Sequence, residues 1–443
     1  MEAYSVINSK LYNQYDSAYT PLNKNYHFRT SNNNNYFSLA LSYTEPLGKR
    51  NIAEINFSFT NNNGRMDRKT YNYNPDSKVY DHIEDSLTDN FYQTNQGNRL
   101  GINYKGISKN LNYQFGVAVQ QMQLKSNDYS KALFLSHRFI NLLPAASFNY
   151  RLRPGKNLQV QYRSRSNQPD IRQLQNVTDI TSYPYIQKGN PRLKQEYVHA
   201  VNLSYNSFSN TSLRSLFVHI SYYNIRNKIT SSIQQNAAEQ ILMPVNMNGA
   251  YNLNSSFGLG IPFKSWEGAA LNTSTQIDFY RNVNLVNTIR NYTRDLTVSQ
   301  DLMLNYNSGK SLDLGLGISA SYNSVRYAIH EMQNTFYFTH SFSLNTSYDF
   351  AKGITISTNV DYTGYTGRIN GFNQNYVLWN ASFSKSFLRN NKGSLRLSIN
   401  DILNSTINIT RYKGDNYIED AKNISLKRFG MLTFIYKLNK KGK

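Results

Sequence analysis

Arg163 and Arg165 are the residues of this chain whose type and spacing best suit a ligand. They stand two apart in "QVQYRSRS" (159–166). In an extended segment, residues two apart share a face, and this one lies opposite Leu158, Val160 and Tyr162. Guanidinium forks grip a carboxylate or phosphate through two parallel N–H bonds, so an anionic solute is one reading. The plainer reading, which the pattern favours, pairs both arginines with lumenal carboxylates such as Asp278, Asp301 or Asp361, or with a separate plug. A second cluster lies in "YNYNPDSKVYDHIEDSLTDNFY" (71–92), where Asp76, Asp81, Glu84, Asp85 and Asp89 surround His82. Oxygen-rich loops hold Ca²⁺, but this spacing matches no EF-hand, so a solvated loop able to fold over an opening is expected.

Other chemistry finds little footing. His27, His82, His137, His199, His219, His330 and His340 are scattered without ligand spacing, so no metal site is expected. No GxSxG elbow, P-loop or HExxH motif is present. Cysteine is absent, which removes disulfides, thiolate catalysis and Cys-based metal sites. The expectation is a chain that is not an enzyme, with no catalytic residue and no cofactor.

The elements that must position these residues are strands. The 443 residues include 36 Tyr and 23 Phe but only 39% hydrophobic residues, and Pro is scarce. No run approaches the roughly eighteen apolar residues of a transmembrane helix. In "SLDLGLGISASYN" (311–323), Leu312, Leu314, Leu316, Ile318, Ala320 and Tyr322 take one parity. Asp313, Gly315, Gly317, Ser319, Ser321 and Asn323 take the other. Such alternation recurs at roughly seventeen places of about nine to twelve residues each, the length that crosses a bilayer when tilted. The connections alternate too. Short ones such as "EPLGKRN" (45–51), "RPGKN" (153–157) and "RNNKG" (389–393) separate longer ones near 61–96, 124–138, 165–196, 226–248, 282–292, 324–335, 364–374 and 403–426. Outer-membrane barrels sort their loops by rim in this way. A soluble sandwich has no reason to do so.

The oily parity is therefore expected to face lipid and the polar parity a watery lumen, with the backbone satisfied by closing the sheet. The fold class expected is an all-β, antiparallel transmembrane β-barrel with about 16–18 strands visible, set in the outer membrane of a Gram-negative bacterium. The formal charge is +21, but its basic residues are scattered and no nucleic-acid partner is expected. Residues 1–35 show no convincing alternation and "MEAYSVINSKLYNQYDSAYT" has no signal-peptide pattern. They are assigned to an N-terminal segment, 36–438 to the barrel and 439–443 to a basic tail. Barrels of this type take an even strand number. The expectation is a C-terminal part of a larger barrel of about 22 strands; the alternative is one weak strand missed.

The stretch 161–205 contains Gly189-Asn190-Pro191-Arg192-Leu193-Lys194-Gln195-Glu196, closing a long loop before an alternating strand. It resembles the "GNPxLKPE"-like phrase of the outer-membrane β-barrel family related to TonB-dependent receptors, with Gln195 in place of the usual Pro. "SINDILNST" (398–406) is similar to the "DxxN" phrase, Asp401 and Asn404, on the penultimate strand of such barrels, and "RFGMLTFIYKL" (428–438) resembles their last strand. Gly189, Asn190, Pro191, Leu193, Glu196, Asp401 and Asn404 are read as structural. The resemblance covers roughly residues 100 to 438 in strand rhythm and includes neither plug nor energy-coupling segment. It implies the wall and extracellular mouth of a nutrient receptor or transporter. Its partners would be outer-membrane lipid, a bulky solute, a plug encoded upstream and an inner-membrane energy-coupling protein. A passive channel and an adhesion or assembly barrel that binds through its long loops are the rival classes.

Overall fold

The residues that alternate are the residues that pair. The computed structural model describes residues 2–13, 18–130, 132–175, 178–182, 185–235, 239–309, 311–329, 334–368, 372–388, 392–406, 408–413, 418–423 and 426–437. His330 and the tail 439–443 lie outside them. The chain starts with β1 (Glu2–Asn13), β2 (Ala18–Pro46), β3 (Asn51–Asn74), β4 (Val79–Ile83) and β5 (Asp89–Ile107). It continues through β6 (Leu111–Asp128), β7 (Leu133–Arg153), β8 (Lys156–Asn167) and one helical turn, α1 (Ile171–Leu174). Next come β9 (Thr178–Ser182), β10 (Tyr185–Lys188), β11 (Glu196–Phe208), β12 (Ser215–Arg226), β13 (Lys228–Gln235) and β14 (Gln240–Met247). Then follow β15 (Ala250–Pro262), β16 (Ala269–Val286), β17 (Ile289–Asn307), β18 (Leu312–Tyr327), β19 (Thr335–Phe350) and β20 (Ile354–Thr366). The last are β21 (Asn375–Phe387), β22 (Gly393–Asn400), β23 (Asn408–Lys413), β24 (Ile418–Asn423) and β25 (Phe429–Tyr436).

Among the described residues one sheet holds 23 strands, with β23 and β24 forming a separate hairpin. Five of the 23, namely β4, β9, β10, β13 and β14, belong to the connections. The remaining eighteen form one antiparallel ladder in chain order from β1 to β25. All eight short connections fall at one rim. The tightest is Pro154-Gly155 between β7 and β8, where Gly155 takes φ +76° and its missing Cβ leaves room for the Phe208 carbonyl.

The two faces differ as the alternation requires. On β18, Leu316 is 43% and Ile318 49% exposed, and in the ladder they meet Leu344 and Phe342. Across from them, Gly317 meets Ser343 and Ser319 meets Ser341. Apolar side chains this exposed, repeated on strand after strand, are the lipid-facing band of a membrane barrel. No second protein layer covers them among the described residues.

Two expectations need correction. Residues 1–35 are not outside the ladder: β1 pairs β2 from Glu2↔Arg29 to Asn13↔Ala18, and the boundary placed at 35/36 falls inside β2. Among the described residues the wall then holds eighteen strands, an even number. The stretches near 61–96, 124–138, 282–292 and 324–335 are also less loop than strand. β3 has 24 residues, β6 18, β7 21 and β17 19, whereas about nine to eleven tilted residues cross the hydrocarbon. The surplus stands above the membrane, where Asn287 (φ 47°) and Thr288 (φ 69°) close the β16–β17 hairpin with the positive φ that tight hairpins demand. Residue alternation fades there because no lipid dictates one apolar face, and Leu124, Val283, Asn291 and Val325 are buried against other parts of the chain.

Replacing Ile318 by Arg places a charge near the middle of the lipid-facing band and is expected to cost about 2–4 kcal/mol. Ser319→Arg, one residue on but inward beside Asp301, is expected to cost less than about 1 kcal/mol. Urea titrations of folding into lipid vesicles measure both, and equal losses would remove the lipid-facing assignment.

Candidate functional site

The inward face carries a row of carboxamides. Asn305 of β17 is opposite Gly315 of β18, which is opposite Asn345, then Asn359, then Asn380 on the next three strands. Asn359 Nδ2 donates to Asn345 Oδ1 at 2.5 Å and Asn380 Nδ2 donates to Asn359 Oδ1 at 3.2 Å. This row lines a cavity of about 950 Å³ that Met303, Arg396, Asn400 and Met431 also border. Each carboxamide offers both donors and an acceptor without net charge. The surface suits hydroxyl- or amide-bearing solutes and moving water more than a fixed ion.

The lumenal carboxylates near this level are held by neutral donors. Asp301 accepts from Ser319 Oγ at 2.5 Å and from Ser274 Oγ at 3.4 Å. Asp278 accepts from Asn254 Nδ2 and Gln276 Nε2, both at 2.7 Å. Arg163 is opposite Ala145 and Ala200, and Arg165 is opposite Val198, so register gives both arginines the inward parity. Both are exposed. Among the described residues neither forms an ion pair, which replaces the expected pairing with Asp278, Asp301 or Asp361.

Nearer the mouth the inward face turns apolar because a connection folds onto it. The segment between β8 and β11 opens with Asp170, which accepts from Arg172 N at 2.9 Å and whose own N–H donates to Gln173 Oε1 at 2.8 Å. This capping box starts α1. α1 buries Ile171 and Leu174, the latter at 0% exposure, with Leu193 and Leu124, against Leu135 and Phe139 of β7. The 189–196 phrase locks the segment in place. A Cβ on Gly189 would sit 1.6 Å from the Gln175 carbonyl oxygen, so only glycine fits. Asn190 donates its backbone N–H to Gln173 O at 2.6 Å and its side chain to Pro244 O at 2.9 Å. Pro191 makes the following turn. Glu196 accepts from Ile229 N and Asn167 Nδ2, both at 2.9 Å.

Two clefts flank this insert. One of about 320 Å³ is bordered by Arg68, Arg172, Lys188 and Pro244; the other, of about 410 Å³, by Arg65, Met66 and again Arg172. The acidic stretch 71–92 adjoins the first without forming a single cluster. Asp89 pairs with Arg68, Glu84 accepts from Asn72 Nδ2 at 2.8 Å and Asp81 from Ser77 Oγ at 3.0 Å. Among the described residues no group of three metal-ligating side chains converges.

Asp401 and Asn404 sit one residue and four residues beyond β22, in a turn where both take positive φ (51° and 54°). Asp401 Oδ1 accepts from Ser405 N at 2.9 Å and Oδ2 from Thr406 N at 3.1 Å, while Asn404 Oδ1 accepts from Arg428 N at 3.2 Å. The turn ends the wall at this height and directs the chain into the 401–428 connection and back to β25. These groups position backbone. The asparagine row and Arg172 escape sequence reading, because only strand register and loop docking bring their partners together. The one signal available is that Asn345 and Asn359 lie on the polar parity of their strands.

A family model described as "Outer membrane protein beta-barrel family" matches residues 2–436. No curated protein sequence matches. Among solved structures, the ferric yersiniabactin uptake receptor of Yersinia pestis is 11% identical with a TM-score of 0.46, over 94% of this chain and 62% of its own. This chain thus spans less than two thirds of that receptor's length. The ferric enterobactin receptor of Pseudomonas aeruginosa is 9% identical with a TM-score of 0.37, over 98% of this chain and 79% of its own. An iron transporter of Neisseria meningitidis is 11% identical with a TM-score of 0.33, over 94% and 78%.

Leu174→Ala is expected to cost about 2–5 kcal/mol of loop docking, read as faster protease cleavage between residues 168 and 195 with the wall still folded. Asp401→Ala removes two acceptors of backbone N–H groups and is expected to cost about 2–3 kcal/mol in urea unfolding of the vesicle-inserted chain. Asp401→Asn, which retains one acceptor, should cost less.

Proposed function

The chain belongs to the outer membrane protein beta-barrel family, and from that premise we propose that it forms the wall and extracellular mouth of a receptor- or transporter-type barrel for uptake of a bulky solute. Its place is the outer membrane of a Gram-negative bacterium. The observation that carries the reading is the insert 168–195, packed inward through Ile171, Leu174 and Leu193, together with a lumenal cavity of about 950 Å³ lined by asparagines and Arg396. A wall built only for adhesion has no use for either part.

In this reading the clefts beside Arg172 take the solute first, with Lys188 adding positive charge for an anionic portion. Arg163 and Arg165 stand on the inward parity of β8 and offer guanidinium forks to the same portion. Movement of the insert opens the way down, and the carboxamides exchange hydrogen bonds with solute or water at little desolvation cost. A plug domain and an inner-membrane energy-coupling protein are the partners this reading calls for if transport is active.

The test is conductance of the full chain in planar bilayers. The native protein is expected to conduct weakly. Leu174→Asp, which undocks the insert, is expected to raise conductance severalfold with no change in heat-resistant folding on gels. High, steady conductance in the native protein that Leu174→Asp leaves unaltered would replace the receptor reading with a passive channel.

A further inference from the structure

The outward face has a feature that uptake does not use. Arg281 of β16 is directly opposite Arg294 of β17, which is directly opposite Arg326 of β18. All three take the parity of Ile277, Leu302, Leu316, Ile318 and Tyr322, the exposed apolar band below them. Thirteen residues separate Arg294 from Asn307 at the foot of β17, and at about 3.3 Å per residue and about 40° tilt this puts the row about 33 Å up the wall. The apolar band of such barrels is about 25 Å tall. The row therefore lies just beyond it, at headgroup height on the long-loop side.

Three like charges on adjacent strands repel one another, and the sheet supplies no counter-charge. Asp295, the carboxylate next to Arg294, is opposite Tyr280 and Val325 on the inward parity. Among the described residues none of the three arginines is in an ion pair. Arg281 is held ready for a partner: its guanidinium lies 4.1 Å from the Tyr292 ring centroid and 5.7 Å from that of Tyr251. Its Nε is buried with no hydrogen-bond acceptor. Arg294 and Arg326 are exposed beside it.

We propose that Arg281, Arg294 and Arg326 form a binding site for the phosphate groups of an outer-leaflet lipid, whose acyl chains lie on the apolar band beneath. Phosphate oxygens match the arginine fork, and a headgroup with two phosphates spans the row, since adjacent strands stand about 4.8 Å apart. The tyrosines fix one guanidinium, and the lipid removes the repulsion among all three. This site depends on the lipid-facing assignment and is independent of the uptake reading.

The probe is bisphosphorylated lipid A, added to the full chain in neutral detergent and followed by native mass spectrometry and thermal unfolding. It is expected to bind and raise the unfolding temperature. The same lipid stripped of both phosphates, and inorganic phosphate at matched concentration, are expected to do neither. Arg294→Gln combined with Arg326→Gln is expected to weaken binding about tenfold or more, while Arg153→Gln at the opposite rim leaves it unchanged. Equal binding of the dephosphorylated lipid to the native chain overturns the proposal whether or not the double variant folds. So does unaltered binding by a folded double variant. An equal shift with inorganic phosphate would assign the row to a free anion and overturn the lipid.

Discussion

Hydrocarbon offers no hydrogen-bond partner to a peptide group, and the architecture follows from that. An unpaired backbone N–H or C=O in the bilayer costs several kcal/mol, so a chain this poor in long apolar runs can enter only as paired strands. The eighteen-strand ladder meets the requirement at each junction between its neighbouring strands, which follow one another in sequence. Antiparallel hairpins need only short turns at one rim, which frees the other rim to carry inserts. The separation of short from long connections is thus a consequence of satisfying the backbone.

Once the strands are paired, the two-residue period assigns every side chain to lipid or lumen, but only where there is lipid. Through the membrane the outward parity is apolar, and the inward parity holds asparagine, serine and glycine. Higher up, both assignments lapse. The inward face becomes apolar at Leu124 and Leu193, where the 168–195 insert docks, and the outward face becomes charged at Arg281, Arg294 and Arg326. One strand therefore changes chemistry along its length. β18 passes from Leu316 and Ile318 to Arg326 on the same parity.

That change with height explains what the sequence disclosed and what it hid. Segment 311–323 is legible because it lies within the bilayer, and so is the placement of short turns such as Pro154-Gly155. The upper part of β2, with Asn32, Asn33, Asn34 and Asn35 in succession, is illegible because strands wetted on both faces need no alternation. Pairing with β3 opposite Met66, Arg65, Gly64 and Asn63 makes it a strand all the same. The 189–196 phrase could be located but not explained, since its use depends on Gln175 and Pro244, both remote in sequence. The asparagine row is hidden more deeply. Each member looks like any polar residue on a lumenal parity until register sets five strands at one level.

Charge follows the same division by face. The formal excess of +21 would load a narrow lumen with positive potential if the basic residues pointed inward at random. Instead, Asp278 and Asp301 in the lumen accept from amides and hydroxyls, and the row of carboxamides, with Arg396, lines the lower cavity. A solute crossing such a surface meets groups that trade hydrogen bonds without trapping it. Guanidiniums outside any ion pair among the described residues stand at the mouth, on the outer face, on the inward parity of β8 (Arg163 and Arg165) and at the lower cavity (Arg396). Between these charged points the carboxamides offer weak, reversible contacts along which a solute can pass.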